Sequence, residues 1–250
     1  MARKDYKKEI KPVEKAEEKI EKGREEEVPK IPKEVEEKLK QIKEKLEKFS
    51  KKIVEKFEKY ILGIALLPPP KQKEGEKPKE EINVLVLVDD TEPTKMSKVE
   101  LKDKLVSIIN ELAKEIDEKL KPETLLLSEL WQSCYDGRYD LLQLIALSAP
   151  IHDTGMLSAI KIAEIHKTMV LKKFEKYIVS YVLAGSLVQG RATKTSDIDT
   201  WVVIDDTDVK KMTRAELKDK LRAIIIGMAI EAGELTGIKN KLNIQVYILT

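Results

Sequence analysis

The sequence predicts an α/β protein of the α+β kind: two tandem units, each a small mixed sheet with helices packed on it, preceded by a charged tail and a long helix. Two observations predict it. Short runs rich in β-branched residues alternate with segments whose apolar positions recur at three- and four-residue steps, the mark of strands alternating with amphipathic helices. Whole phrases also recur. Lys56-Phe57-Glu58-Lys59-Tyr60-Ile61 returns letter for letter as Lys173-Phe174-Glu175-Lys176-Tyr177-Ile178. Asp89-Asp90-Thr91, Lys95-Met96 and Glu100-Leu101-Lys102-Asp103-Lys104-Leu105 return as Asp205-Asp206-Thr207, Lys211-Met212 and Glu216-Leu217-Lys218-Asp219-Lys220-Leu221. Such order at a nearly fixed offset is the signature of an internal duplication.

Along the chain, residues 1–32 are mostly Lys, Glu, Arg and Pro, too polar to offset ordering entropy, so they predict a disordered or transiently helical tail. Val35, Leu39, Ile42, Leu46, Phe49, Ile53, Phe57 and Tyr60 then form one apolar face of a long helix, Glu34 to Tyr60, whose other face is a Lys/Glu lattice. Packing on its own domain is expected of that face, a coiled-coil partner being the alternative. The first unit, 33–155, continues with strands Ile61 to Leu67 and Ile82 to Val88, a helix Lys98 to Lys119, a strand Thr124 to Leu127, a helix through Trp131 to Leu147, and a turn at Pro150 to Gly155. The second, 156–250, runs helix Leu157 to Tyr177, strand Val179 to Ala184, strand Thr200 to Ile204, helix Arg214 to Leu235 and strand Leu242 to Leu249. Ser97-x-x-Glu100 and Thr213-x-x-Glu216 read as capping boxes opening the matched helices. The second unit stops at Thr250, so a closing helix and turn like those of the first are expected to be missing or supplied by a partner.

The 250 residues are 42% hydrophobic, enough for a core, and 37% charged, against roughly 25% in ordinary globular chains. A Lys/Glu excess of this size is common in hyperthermophiles and points to a thermophilic, archaeal or bacterial source. A net charge of +2 makes no case for nucleic acid by itself, and interleaved glutamates largely cancel the lysines between Lys7 and Lys52. The single cysteine, Cys134, forms no internal disulfide, and no apolar run is long enough to span a bilayer; a cytoplasmic protein without membrane contact is expected.

The chemistry concentrates between Ala184 and Ile204. A strand runs into Gly185-Ser186, a polar loop follows through Gly190, Arg191 and Lys194, and Ser196-Asp197-Ile198-Asp199 opens the next strand. Side chains alternate along a strand, so Asp197 and Asp199 face the same way, and paired carboxylates suit a hard divalent cation. Gly185 lets backbone approach a phosphate without a Cβ in the way, and Ser186 adds a hydroxyl donor. This combination of residues, spacing and strand context resembles the DNA polymerase β-like nucleotidyltransferases. The resemblance implies transfer of a nucleoside monophosphate from ATP or another nucleoside triphosphate to an acceptor (RNA, protein or small molecule) with Mg²⁺ or Mn²⁺. Asp197 and Asp199 would be catalytic and hold the metal. Gly185, Ser186, Gly190, Arg191 and Ser196 would bind the nucleotide.

At the matching places the first unit has Pro68-Pro69 and Glu80-Glu81-Ile82-Asn83. Proline has no N–H for a phosphate and Asn83 no charge for a metal, so the first unit is expected to be a degenerate copy that packs against or shapes the cleft of the second, an intramolecular pseudo-dimer. The family usually places a third acid on a later strand, where this chain has Asn243 or Gln245, amides that cannot take a proton from an attacking hydroxyl. Two readings follow: an enzyme working with two aspartates, or a catalytically inactive nucleotide-binding or protein-interaction scaffold of the same fold. Asp205 and Asp206 read as a turn, and His152 and His166 as structural.

Overall fold

The computed structural model describes residues 33–69, 80–92, 95–207 and 212–249. The charged segment 1–32, Lys211 of the repeated phrase and Thr250 lie outside the described residues. Two compact units divide at Lys43 and Glu44. The elements in order are α1 (Lys33–Phe57), a 3₁₀ turn (Glu58–Tyr60), β1 (Ile61–Leu66), β2 (Ile82–Val88), α2 (Lys98–Lys114), β3 (Leu120–Leu126), α3 (Leu127–Tyr135) and α4 (Asp140–Leu147). After these come β4 (Ala149–Asp153), α5 (Met156–Phe174), β5 (Ile178–Ala184), β6 (Ile198–Ile204), α6 (Arg214–Thr236) and β7 (Leu242–Ile248). Among the described residues no helix is long and apolar enough to cross a membrane.

The strands make two mixed sheets, ordered β3-β2-β1-β4 (sheet A) and β5-β6-β7 (sheet B). Their shared parts match in detail. β1 runs antiparallel to β2 and β5 to β6; β2 runs parallel to β3 and β6 to β7. Each antiparallel pair carries an irregularity one step inside its first residue, between Ile61 and Gly63 and between Ile178 and Ser180. The repeated hexamer forms the helix-to-strand corner in both places, closed by Asp89 N–H to Tyr60 O and Asp205 N–H to Tyr177 O, each at 2.8 Å. Beyond it, Asp89 and Asp205 each accept from the backbone N–H two residues on, at 2.9 Å; Asp205 thus closes a turn, as its sequence setting predicts. These parallels are consistent with two tandem units.

Sheet A is buried on both faces. Leu85, Leu87 and Leu125 join Leu127, Leu130, Leu142, Ile145 and much of α5 in one core. The alternate residues Val84 and Val86 point the other way and are fully buried, as are Phe49 and Ile53 of α1 and Ile109 of α2. The α1 stripe is therefore packed over Leu46–Ile53, while Leu39 is exposed. Among the described residues sheet B is covered on one face only: Val202, Ile204, Ile244 and Val246 pack with Val170 of α5 and Ile225 of α6.

Four sequence expectations need correction. The segment at Pro150 is no simple turn: Ala149–Asp153 is an edge strand paired antiparallel with β1. The helix expected through Trp131 to Leu147 is two helices, because Gly137 takes a left-handed φ of 72° between them. α2 ends early and β3 begins at Leu120, with Pro122 tolerated because β3 is an edge strand that need not donate outward. Ser97 caps α2 through Glu100 N–H at 3.2 Å, but Glu100 turns to Lys104 instead of closing a box; the Thr213–Glu216 box is complete.

Candidate functional site

The site is built on the open face of sheet B, where β5 hands over to β6. After Ala184 the chain turns sharply at Gly185, whose φ of 71° suits glycine alone at no cost. One tight turn follows, held by Gln189 N–H to Gly185 O at 3.3 Å and Arg191 N–H to Ser186 O at 2.8 Å. Leu187 at its centre is fully buried in the large core, which anchors the turn and leaves Ser186 half-buried, its hydroxyl without a hydrogen bond among the described residues.

Gly190 ends this turn with φ 73° and is buried; a Cβ there would stand 2.7 Å from Leu127 Cδ2. Its lack of a side chain lets the loop lie on the junction of β3 and α3. Arg191 is exposed and bonds Gln189 Oε1. Ser196 Oγ accepts from Thr193 N–H at 2.9 Å, closing a second turn. Asn240, only 5% exposed, clamps that turn from beneath, its Nδ2 donating to Thr193 O at 2.9 Å and Ser196 O at 2.8 Å. Gly155, just before α5, lies directly under Thr193 and Lys194, where any Cβ would strike the loop backbone. Asn240 does not stand out in the sequence, and Gly155 reads there only as the end of a turn; neither carries a local signal for a partner about forty residues away.

Ile198 then enters the core, and Asp199, next along β6, projects to the opposite side. Asp197 is exposed and Asp199 half-buried. The register places Asp199 between Ala184 on β5 and Asn243 on β7. Asn243 Nδ2 donates to Asp199 Oδ1 at 2.8 Å, while Oδ2 lies against the Gly185 Cα. The later-strand position left open between Asn243 and Gln245 is thus occupied by Asn243. Asp199 is brought to the glycine turn, Asp197 precedes β6 and is exposed, Gly190 lies against Leu127, and Ser196 bonds within the loop. Among the described residues no group of three or more His, Cys, Asp or Glu side chains is arranged for a metal. The pair with an adjacent amide is a hard-oxygen donor set that suits one divalent ion completed by ligand oxygens.

His166 on α5 takes no part in the site. It is fully buried, Nδ1 lying 2.8 Å from Tyr181 Oη and Nε2 3.0 Å from Ile225 O, so it ties α5 to β5 and α6. Burial holds its imidazole below the usual histidine range, opposed by the Ile225 carbonyl. Its structural role is as the sequence predicts.

A mixed antiparallel–parallel sheet with a Gly-Ser turn at one strand end and two aspartates opening the next is the arrangement expected of a nucleotidyl-transferring domain. Residues 163–239 match the family model of the nucleotidyltransferase domain, consistent with a polymerase β-like nucleotidyltransferase. The matched stretch takes in most of α5, the Gly185 turn, both aspartates and all of α6, and ends just before Asn240. No curated protein matches the chain.

Proposed function

We propose that residues 156–250 form a nucleotidyltransferase unit that moves a nucleoside monophosphate from a nucleoside triphosphate to an acceptor hydroxyl, and that residues 33–155 form a degenerate copy supporting it. The observation that carries this reading is Asp199, wedged between the Gly185 turn and Asn243. In the reaction the acceptor oxygen attacks the α-phosphorus, the bond to the β-phosphate breaks, and pyrophosphate leaves. Gly185 and the free Ser186 hydroxyl receive phosphate oxygens at the turn, and Arg191 and Lys194 lend positive charge from the loop. Asp197 and Asp199 would hold Mg²⁺ or Mn²⁺, which neutralises phosphate charge when bound. Gly190 and Ser196 shape the loop. Asn243 cannot take the acceptor proton, so that proton passes to an aspartate or to a phosphate oxygen of the substrate.

In sheet A the register puts Asn83 opposite Lys121, and Pro68 follows β1, so the corresponding place there has neither the glycine turn nor a carboxylate pair. Asp197→Asn and Asp199→Asn should each abolish magnesium-dependent pyrophosphate release; unchanged release in either variant rejects the enzyme. One observation favours a second reading, a non-catalytic nucleotide-binding or protein-interaction scaffold: the amide of Asn243 where the resemblance implies an acid. Calorimetry showing MgATP binding with no turnover on any acceptor supports that reading instead.

A further inference from the structure

The two sheets differ most on one face. In sheet A the face bearing Asn83, Leu85 and Leu87, with Leu125 on β3, is sealed beneath α3, α4 and α5. The positions matched by strand register in sheet B are Asp199, Trp201, Val203 and Tyr247, and that face is open: Trp201 is 43% and Tyr247 44% exposed. Two of the three leucines that seal against helices, Leu85 and Leu125, are matched by the aromatic rings Trp201 and Tyr247, and Leu87 by Val203. The charged pair Lys121 and Glu123 is likewise replaced by two amides, Asn243 and Gln245.

Trp201 and Tyr247 meet edge to face at 6.3 Å, an arrangement that braces the two rings against each other. Tyr247 Oη donates to Gln245 Oε1 at 2.8 Å, so the Gln245 amide N–H groups stay available to a ligand. At the outer edge of β7 a groove of about 500 Å³ runs from Asn243 to Tyr247 and reaches round to Ile244 and Val246 of the covered face. Lys218 and Arg222 of α6 line it, with Asp219 alongside, and neither cation has an ion-pair partner among the described residues.

We infer that this face seats an unpaired base of a single-stranded nucleic acid, stacked on Trp201 and met at its edge by Gln245, with Lys218 and Arg222 on the backbone phosphates. The inference rests on the transferase reading of the same site and names its acceptor class. A π-face accepts any unpaired base, and duplex stacking would deny it one. Trp201 stands two residues beyond Asp199 on the same face, about 7 Å along the strand, so a base on the indole holds its own sugar near the carboxylates. Unpaired cations beside stacking rings fit a polyanion with planar bases better than they fit an aliphatic protein surface.

The test is titration of a short labelled oligoadenylate into the full chain carrying Asp197→Asn, which needs no turnover. Trp201 fluorescence should quench on binding. Trp201→Ala should weaken binding roughly tenfold, within the range for one stacked base, and Trp201→Phe should restore most of it. Lys218→Ala with Arg222→Ala should lower the slope of log affinity against log salt by about 1.4. Equal affinity for duplex RNA, or affinity indifferent to Trp201→Ala, overturns the inference. So does loss of self-association in Trp201→Ala by sedimentation without loss of RNA binding, which would make the face a protein contact. The two readings fail separately: oligoadenylate binding through Trp201 without pyrophosphate release in the unmutated chain sinks the transferase, whereas release with Trp201-independent binding sinks only the acceptor assignment.

Discussion

Asn243 donates a hydrogen bond of 2.8 Å to Asp199 across the parallel β6–β7 pair, so an amide occupies the place beside the best-positioned carboxylate of the site. The bond orients Asp199 and turns its second oxygen toward Gly185. An amide there adds no negative charge beside Asp199.

Replacing Asn243 with Asp should therefore make the stability of the fold depend on a bound cation. Two carboxylates about 4 Å apart repel by about 1–4 kcal/mol, according to the effective dielectric constant around them. The metal-free Asn243→Asp protein should unfold at lower urea concentration than the unmutated chain, and millimolar Mn²⁺ should restore or exceed the original midpoint. An equal response to Mn²⁺ in both proteins would show that the ion does not sit at this pair.

Gly185 is constrained twice, by its left-handed φ and by the Asp199 carboxylate pressed on its Cα. Gly237, the C-cap of α6, has nearly the same φ, 67°, but open space where a Cβ would stand. Gly237→Ala should cost only the backbone penalty of about 1–2 kcal/mol. Gly185→Ala should cost more, and by displacing Asp199 it should slow pyrophosphate release on the order of 10²-fold. Equal stability losses, with release unaffected, would mean the carboxylate moves aside freely.

Asn240 satisfies two backbone carbonyls of the loop from a buried position. Asn240→Ala should destabilise the fold by about 1–3 kcal/mol, the penalty for stranding buried acceptors. Hydrogen exchange at the Thr193 and Ser196 amides should quicken more than at β6. Uniform quickening would place the effect in global unfolding instead.

His166 gives a pH signature. Its native pKa is lowered by burial, so between that value and about 6.5 the unfolded chain binds more protons than the folded one. The stability it contributes is complete above about pH 6.5 and is lost as pH falls through the folded pKa. Urea midpoints for His166→Gln should fall less steeply than those of the unmutated chain below that point. Parallel curves would exclude His166 as the source.

Much of the fold is legible in the sequence because its signals are local. The repeated hexamer marks both helix-to-strand corners, and the Thr213–Glu216 box opens α6 where the spacing places it. Gly185 and the aspartates stand out because a positive-φ turn and an alternating strand are properties of a few consecutive residues. β4 escapes such reading for the opposite reason: Ala149–Asp153 is strand only because β1 offers it an edge, and Pro150 with Gly155 reads locally as a turn.

Residue chemistry along the chain is enough to say that two carboxylates flank a buried isoleucine beyond a glycine turn, because the period of a strand is built into its backbone. Which residues surround that pair is a matter of register and packing between segments far apart in sequence. Asn243 rather than Gln245 meets Asp199 because β6 and β7 pair in one register. Gly190 and Gly155 are glycines because other segments press on them, and Trp201 faces solvent because, among the described residues, no helix covers its face of sheet B as α3, α4 and α5 cover the matching face of sheet A. Those contacts exist only once the chain has closed on itself, since no pattern of neighbouring residues encodes the surface they will meet.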